Sequence, residues 1–384
     1  MTRRIAVVLS VAALVFALQL LSPANLLAKP EFAARYQTSC WSCHTNPYGG
    51  GVRTEEGLGF ERTLSLTATQ NWLNKKFPGY DFNPIVNKNL QLGADGWLMF
   101  FGEQVEGPDS QGKQKTKWQS SYLFMEGNVY ADARLLPILH LVAGYDVANN
   151  ATETFGQIDG LPAGLYFKVG RFIPPFGLRF DDHTVFTRDP LGFSQLAQDS
   201  GVEVGVRPGP VYVMAAMTNG NLGATGMDLD KNWYAATVQG GVHFWKFTVG
   251  ASFFHNTRDD MIREVYGPYL MFGWGPFAYV GEGDLFDQEN PAAVNPPFPS
   301  KWAHGWTMIH HVDIQIIEGL SLQGRYSYYE PNIKVEKDEY YQVMGGVNVY
   351  PIPFFEVNFQ YRHNSEQQPS VNNDELLAHA HVFF

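Results

Sequence analysis

The run SCWSCH, Ser39 to His44, holds the only two cysteines of a 384-residue chain and sets a histidine directly after the second. C-x-x-C-H is the attachment pattern of c-type haem: Cys40 and Cys43 are spaced to form two thioether links, and His44 is placed to become the proximal iron ligand. Other chemistries fit less well. A thioredoxin-like dithiol wants a βαβ setting and has no use for the adjacent imidazole. A structural zinc would lack a fourth ligand nearby, and a disulfide across two residues would be strained and staple little. The motif therefore calls for one covalently attached haem c, with His44 as the metal-binding residue. Between Lys29 and Leu98 there is no methionine and no histidine besides His44. A second axial ligand must come from the rest of the chain, unless the iron stays five-coordinate or takes Tyr48, Lys75 or Lys76.

Haem of this type is attached after export, and the chain opens with an export address. Arg3 and Arg4 precede an apolar run from Ile5 to Leu21, and small residues follow at Ser22, Ala24 and Ala28, the order of a secretory signal peptide. Residues 1–28 are set apart on that ground, with cleavage after Ala24 or Ala28. Loss of the two arginines takes the net charge from −11 to −13. That argues against nucleic acid as a partner, because phosphate binding needs basic surface. After the leader no run is long and apolar enough for a spanning helix. Aromatic residues nevertheless reach 15% against 17% charged, an unusual balance for a soluble acidic protein. Export, period-two alternation and aromatic richness together predict an all-β antiparallel barrel of the bacterial outer membrane.

Barrel strands show lipid one face and the lumen the other. In DELLAHAHVFF, Leu376, Ala378, Ala380, Val382 and Phe384 share one face while His379, His381 and Phe383 share the other. In FFEVNFQYRHN, Phe355, Val357, Phe359 and Tyr361 oppose Glu356, Asn358, Gln360 and Arg362. Sixteen strands are expected, beginning near Asn89, Trp118, Pro137, Thr152, Gly164, Gly201, Pro210, Lys231, Lys246, Arg263, Pro276, Ala303, Gly319, Asp338, Pro353 and Asp374. Fourteen or eighteen strands fit the same weak signals. One long connection, PPFGLRFDDHTVFTRDPLGFSQLAQDS, is placed to fold into the lumen, and it contains the polar group Asp181, Asp182 and His183. The barrel takes residues 89–384. Residues 29–88 form a small haem segment with one or two short helices, too small and polar to build a core by itself.

Two stretches resemble known families. LYFKVGRFIPPFGLRF, Leu165 to Phe180, is similar to the strand and loop entry of the phosphate-selective porins. KPEFAARYQTSCWSCHTNPYGGG, Lys29 to Gly51, followed at once by a porin-like barrel, resembles the outer-membrane monohaem cytochrome–porin fusions of iron-oxidising bacteria. In that group a Pro-x-Phe-Ala segment leads into C-x-x-C-H, as Pro30, Phe32 and Ala33 do here. The glycine-rich run after the motif departs from the pattern of the iron oxidisers. The resemblance implies electron transfer across the outer membrane, between an extracellular donor or acceptor such as ferrous iron and a periplasmic electron-carrier cytochrome.

Strand parity points His140, His243, His379 and His381 into the lumen near its periplasmic end, as candidates for the second haem ligand. Met99, Met214, Met271 and Met344 share the inward parity. A haem at the barrel's base could not serve a partner outside the cell, since tunnelling fades exponentially and the apolar band alone is about 25 Å tall. The haem segment is therefore expected to rise into the barrel as a plug. Inward acids, among them Asp95, Glu126, Asp132, Glu203, Glu282, Asp313 and Glu356, outnumber inward Arg134, Lys168, Arg207, Arg325 and Arg362, which suits a cation more than an anion. The alternative is a porin for small solutes or anions carrying an accessory haem. A haem enzyme would need an open sixth position and distal acid–base groups, and no such pair is identifiable. By analogy with barrels of this size a homo-oligomer is expected.

Overall fold

The computed structural model describes residues 29–79, 81–108, 114–182, 184–223, 234–258, 261–289, 302–366 and 371–384. The leader and His183 lie outside the described residues. Four helices come first: α1 Pro30–Tyr36, α2 Cys40–Cys43, α3 Glu55–Thr63 and α4 Thr67–Lys76. A short strand, β1 Ile85–Asn87, then pairs with the start of the wall. The wall strands are β2 Leu90–Pro108, β3 Gln114–Leu136, β4 Leu139–Asp146, β5 Ala151–Ile158, β6 Tyr166–Phe172, β7 Asp199–Val206, β8 Val211–Thr218 and β9 Tyr234–Phe244. They continue as β10 Phe247–Arg258, β11 Met261–Trp274, β12 Phe277–Glu289, β13 Trp302–Ile317, β14 Leu320–Glu330, β15 Tyr340–Ile352, β16 Phe355–Glu366 and β17 Val371–Phe383.

Each wall strand pairs antiparallel with the next, and β17 returns to β2 with Ala380 opposite Leu98 and His381 opposite Trp97. The sixteen wall strands thus close into a barrel in which each has a neighbour on both sides, with β1 a short addition against β2. Every strand begins within four residues of its expected start. The inward and outward faces follow parity. On β17, Leu376 and Val382 are 46% and 48% exposed, whereas His379, His381 and Phe383 are 5%, 3% and 3% exposed. Phe359, Tyr361, Leu322 and Val169 are similarly exposed on the outside, while Glu356, Asn358 and Arg362 are buried inside. An apolar exterior around a charged interior belongs in lipid, because no water is there to satisfy an open edge. At the end where β2 begins and β17 stops, tight turns such as Ile317–Leu320 and Ile352–Phe355 join the strands.

Two segments fill the interior. The long connection from Ile173 to Gln198 crosses the lumen: Arg188 bonds Glu282 on β12 at 2.6 Å, and Asp182 accepts from Arg325 on β14 at 2.6 Å and from Arg362 on β16 at 2.7 Å. The N-terminal helices enter from the other side. Helix α1 begins with Pro30 at its first turn and ends where Gln37 takes φ +58° and returns its N–H to Ala33 O. Arg35 of α1 forms a buried ion pair with Asp313 on β13, and Lys29 reaches Glu356 at 2.8 Å and Asp181 at 3.3 Å. Close approach is permitted by Gly273 on β11, where a Cβ would lie 1.9 Å from Ala34 O. One or two short helices were expected in this segment; α1 and the single turn α2 escape sequence reading because seven and four residues carry too little periodicity.

Candidate functional site

The C-x-x-C-H motif forms one helical turn, with the His44 N–H donating to Cys40 O at 3.0 Å. It is gripped from two sides. His44 and Arg53 form an antiparallel bridge, and Thr45 N–H donates to Val52 O at 3.0 Å. The connecting Gly49, Gly50 and Gly51 take φ of +96°, +72° and +67°, a run of left-handed backbone that only glycine tolerates cheaply. On the other side the Thr54 N–H donates to Cys43 O at 2.8 Å and its hydroxyl to Ser42 O at 2.7 Å. The Thr54 hydroxyl also caps α3 by accepting from Gly57 N–H at 3.1 Å. Gly57 is required by contact, since a Cβ there would lie 2.4 Å from Cys43 O. The glycines that set this tail apart in sequence are the ones that fold it back onto the motif.

Neither thiol is in a disulfide. Burial pushes Cys40 up to about 11 and raises Cys43 as well, so both stay protonated. A redox dithiol works the other way, with a lowered pKa. His44 is 4% exposed, and burial, helped by the charges of Arg53 and Arg179, pushes it down to about 3. Its ring is therefore neutral, and its Nδ1 is buried without a partner. A neutral imidazole with a free nitrogen is the metal-binding form. Cys43 and His44 line a cleft walled by Phe60, Leu64 and Phe383, with Arg53 and Lys29 as cations at its margin. Arg53 lies over the Phe383 ring at 4.9 Å and is paired with Glu61.

Two thiols outside any disulfide, a neutral imidazole and apolar walls are the donor set a covalently bound haem would need, although Cys40 lines the neighbouring cavity and the cations Arg53 and Lys29 are already paired with Glu61 and Glu356. The cleft encloses only about 50 Å³, room for a water or two, so its walls must part around a larger group.

The motif is locked into the lumen by polar contacts. Asn46 donates to Glu153 at 2.9 Å and accepts from Lys168 at 2.9 Å; Gln157 donates to Thr45 O at 2.9 Å, and Gln91 to Arg53 O at 2.5 Å. Arg179 of the long connection bonds Gly49 O, and Tyr48 OH donates to Phe176 O. Tyr48 is thus occupied, and Lys75 and Lys76 are exposed on α4.

The four inward histidines are placed differently. His381 lines the cleft of Cys43 and His44. His243 stands beside Cys40, with Nε2 2.8 Å from Ser39 Oγ and Nδ1 2.7 Å from Thr248 Oγ1. His140 faces Asp132 at 2.9 Å. His379 is buried near Trp97, its Nε2 unpartnered, in a cavity shared with His311. Arg53, Arg179 and Lys29 were not singled out from sequence, because basic residues scattered through polar stretches carry no spacing signal.

No family model and no curated protein matches the chain. Solved structures do. OmpT, an outer-membrane protein of Vibrio cholerae, is 12% identical with a TM-score of 0.56 over 79% of this chain and 100% of that one; a trimer form of it is also known. OprB of Pseudomonas putida is 7% identical with a TM-score of 0.57, over 82% of this chain and 96% of its own. The anion-selective porin of Comamonas acidovorans is 7% identical with a TM-score of 0.51, over 77% and 99%. At these identities the likeness is one of fold.

Proposed function

We propose that this porin-like outer-membrane barrel is an electron conduit, built around one haem c attached through Cys40 and Cys43 and ligated by His44. The observation that carries the reading is the position of the motif inside the lumen. Its neutral histidine and Cys43 line a cleft bounded by the plug and by β17, Cys40 lines the neighbouring cavity beside His243, and the long connection reaches the motif through Arg179. A haem there supplies one electron reversibly gained and lost. The chain's own residues do the rest. Arg35–Asp313, Lys29–Glu356 and Asn46–Glu153 hold the plug in register, and the plug and the Arg188-clamped connection restrict solute passage. Acids on the inner wall favour a cationic donor such as ferrous iron, and a periplasmic cytochrome is the partner on the opposite side; flow in reverse uses the same parts. A homo-oligomer, testable by light scattering in detergent, belongs to the same reading.

A second reading, a porin for small solutes or anions with an accessory haem, is favoured by the fold likeness to porins, one of them anion-selective. The deciding experiment is a visible spectrum of protein purified from outer membranes, before and after ferrous iron, together with bilayer conductance. Covalent haem reduced by ferrous iron with little ionic current supports the conduit. Large stable current without covalent haem overturns it in favour of the porin.

A further inference from the structure

We propose that His379 and Met99, on the adjoining strands β17 and β2, form a binding site for a soft metal ion, copper(I), on the floor of a vestibule at the outer end of the barrel; the site is independent of the haem reading above. Barrel closure sets the two residues directly opposite each other. Both are buried, at 5% and 6% exposure. Cross-strand partners carry their Cβ atoms about 5 Å apart on one face of the sheet, so imidazole and thioether enter the lumen side by side. The Nε2 of His379 is buried without a hydrogen-bond partner. Buried polar atoms are nearly always satisfied, and one that is not calls for an occupant.

His379 and Met99 line a cavity of about 340 Å³, at the strand ends opposite the tight turns, and a second thioether, Met125, lines it with them. The pairing of β2 with β3 slips between Trp97 and Leu98, which makes Met125 the extra residue of a bulge. Bulges re-aim side chains in this way. Thioether sulfur and imidazole nitrogen are the donors that select copper(I), whereas magnesium, calcium and manganese take carboxylates. The carboxylates of the cavity are placed to attract a cation more than to ligate it. Asp182 is spent on Arg325 and Arg362, and Glu375 faces Arg362 at 3.9 Å. With Asp189 and Glu366 they make four acids against Arg362 among the described lining residues, an excess that concentrates cations. The other inward histidines lack the combination. His243 is engaged at both nitrogens by hydroxyls, His140 is taken by Asp132, and His381 is held between Glu356 and Asp95. His311 also has an unpartnered Nε2, but it stands opposite Arg325 rather than a sulfur donor.

The test uses full-length protein from outer membranes, with the barrel's folding checked by heat-modifiable gel migration. Copper(I), kept reduced by ascorbate, is titrated in competition with a chromogenic copper(I) chelator, and the neighbours of the bound metal are read by X-ray absorption. Every protein is measured with the native cysteines and again with Cys40→Ser and Cys43→Ser, so that thiol-bound copper is told apart from copper in the vestibule. Wild type is expected to hold one copper(I) at this site in both backgrounds, with sulfur and imidazole scattering, and to keep it against equal zinc. His379→Ala and Met99→Leu should each weaken binding by at least about tenfold, since even the outer-shell partners of a metal are worth that much. Met99→Leu conserves volume and carries the test should His379→Ala fold poorly. Met344→Leu, in the inner cavity beyond His379, should bind like wild type. No copper(I) on wild type, unchanged affinity in Met99→Leu, or copper that disappears with the two cysteines overturns the site.

Discussion

The ion pair of Arg35 and Asp313 offers a quantitative test of how the plug is held. Both side chains are nearly fully buried, and Asp313 is also held by Ser321 Oγ at 2.8 Å. Arg35→Ala leaves the carboxylate buried and uncompensated, which costs about 3–5 kcal/mol. Because the charge is rehydrated when α1 undocks, that cost falls on the docking equilibrium. At about 1.4 kcal/mol per decade, the undocked population rises by about a hundred- to a few thousand-fold. Limited proteolysis of the plug in the folded barrel reads this directly, since cleavage tracks the open population when reclosing is faster than cutting. Adding Asp313→Asn removes the stranded charge and is expected to recover most of the loss. Equal cleavage rates for Arg35→Ala and the double variant, or for Arg35→Ala and wild type, would refute the argument that this pair positions the plug.

Three further outcomes are expected. Gly273→Ala drives a methyl into the Ala34 carbonyl and should raise proteolysis of the plug without lowering barrel stability, as judged by heat-modifiable migration. Gly57→Ala pushes α3 off the Cys43 carbonyl, so the yield of covalently loaded protein, read by haem staining against total protein, should fall several-fold. Burial, partly offset by Lys29, pushes Glu31 in α1 up to about 7 from an ordinary 4.5. The docked plug then binds the extra proton between those values, so docking weakens as pH rises through about 4.5 to 7, by up to about tenfold per unit, and levels off above. Glu31→Gln should flatten that profile, and an unchanged slope in plug proteolysis would exclude Glu31 as its source.

Much of the wall was legible because barrel strands obey a local rule. Lipid outside and a polar lumen inside force period-two alternation on each strand separately, so HAHVFF or EVNFQYR announces its two faces without knowledge of its neighbours. The Cys-x-x-Cys-His run was equally local: two thiols and an imidazole at fixed spacing. Tertiary structure alone decided what meets what in the lumen. Parity placed four histidines inside, but only barrel closure, which sets β17 beside β2, brings His381 between Glu356 and Asp95 and against the motif cleft. Lys29 and Glu356 are 327 residues apart, and Arg35 and Asp313 are 278 apart. Such contacts arise where a closed ring converts remote strands into facing walls, and no pattern along the chain encodes the distance across it.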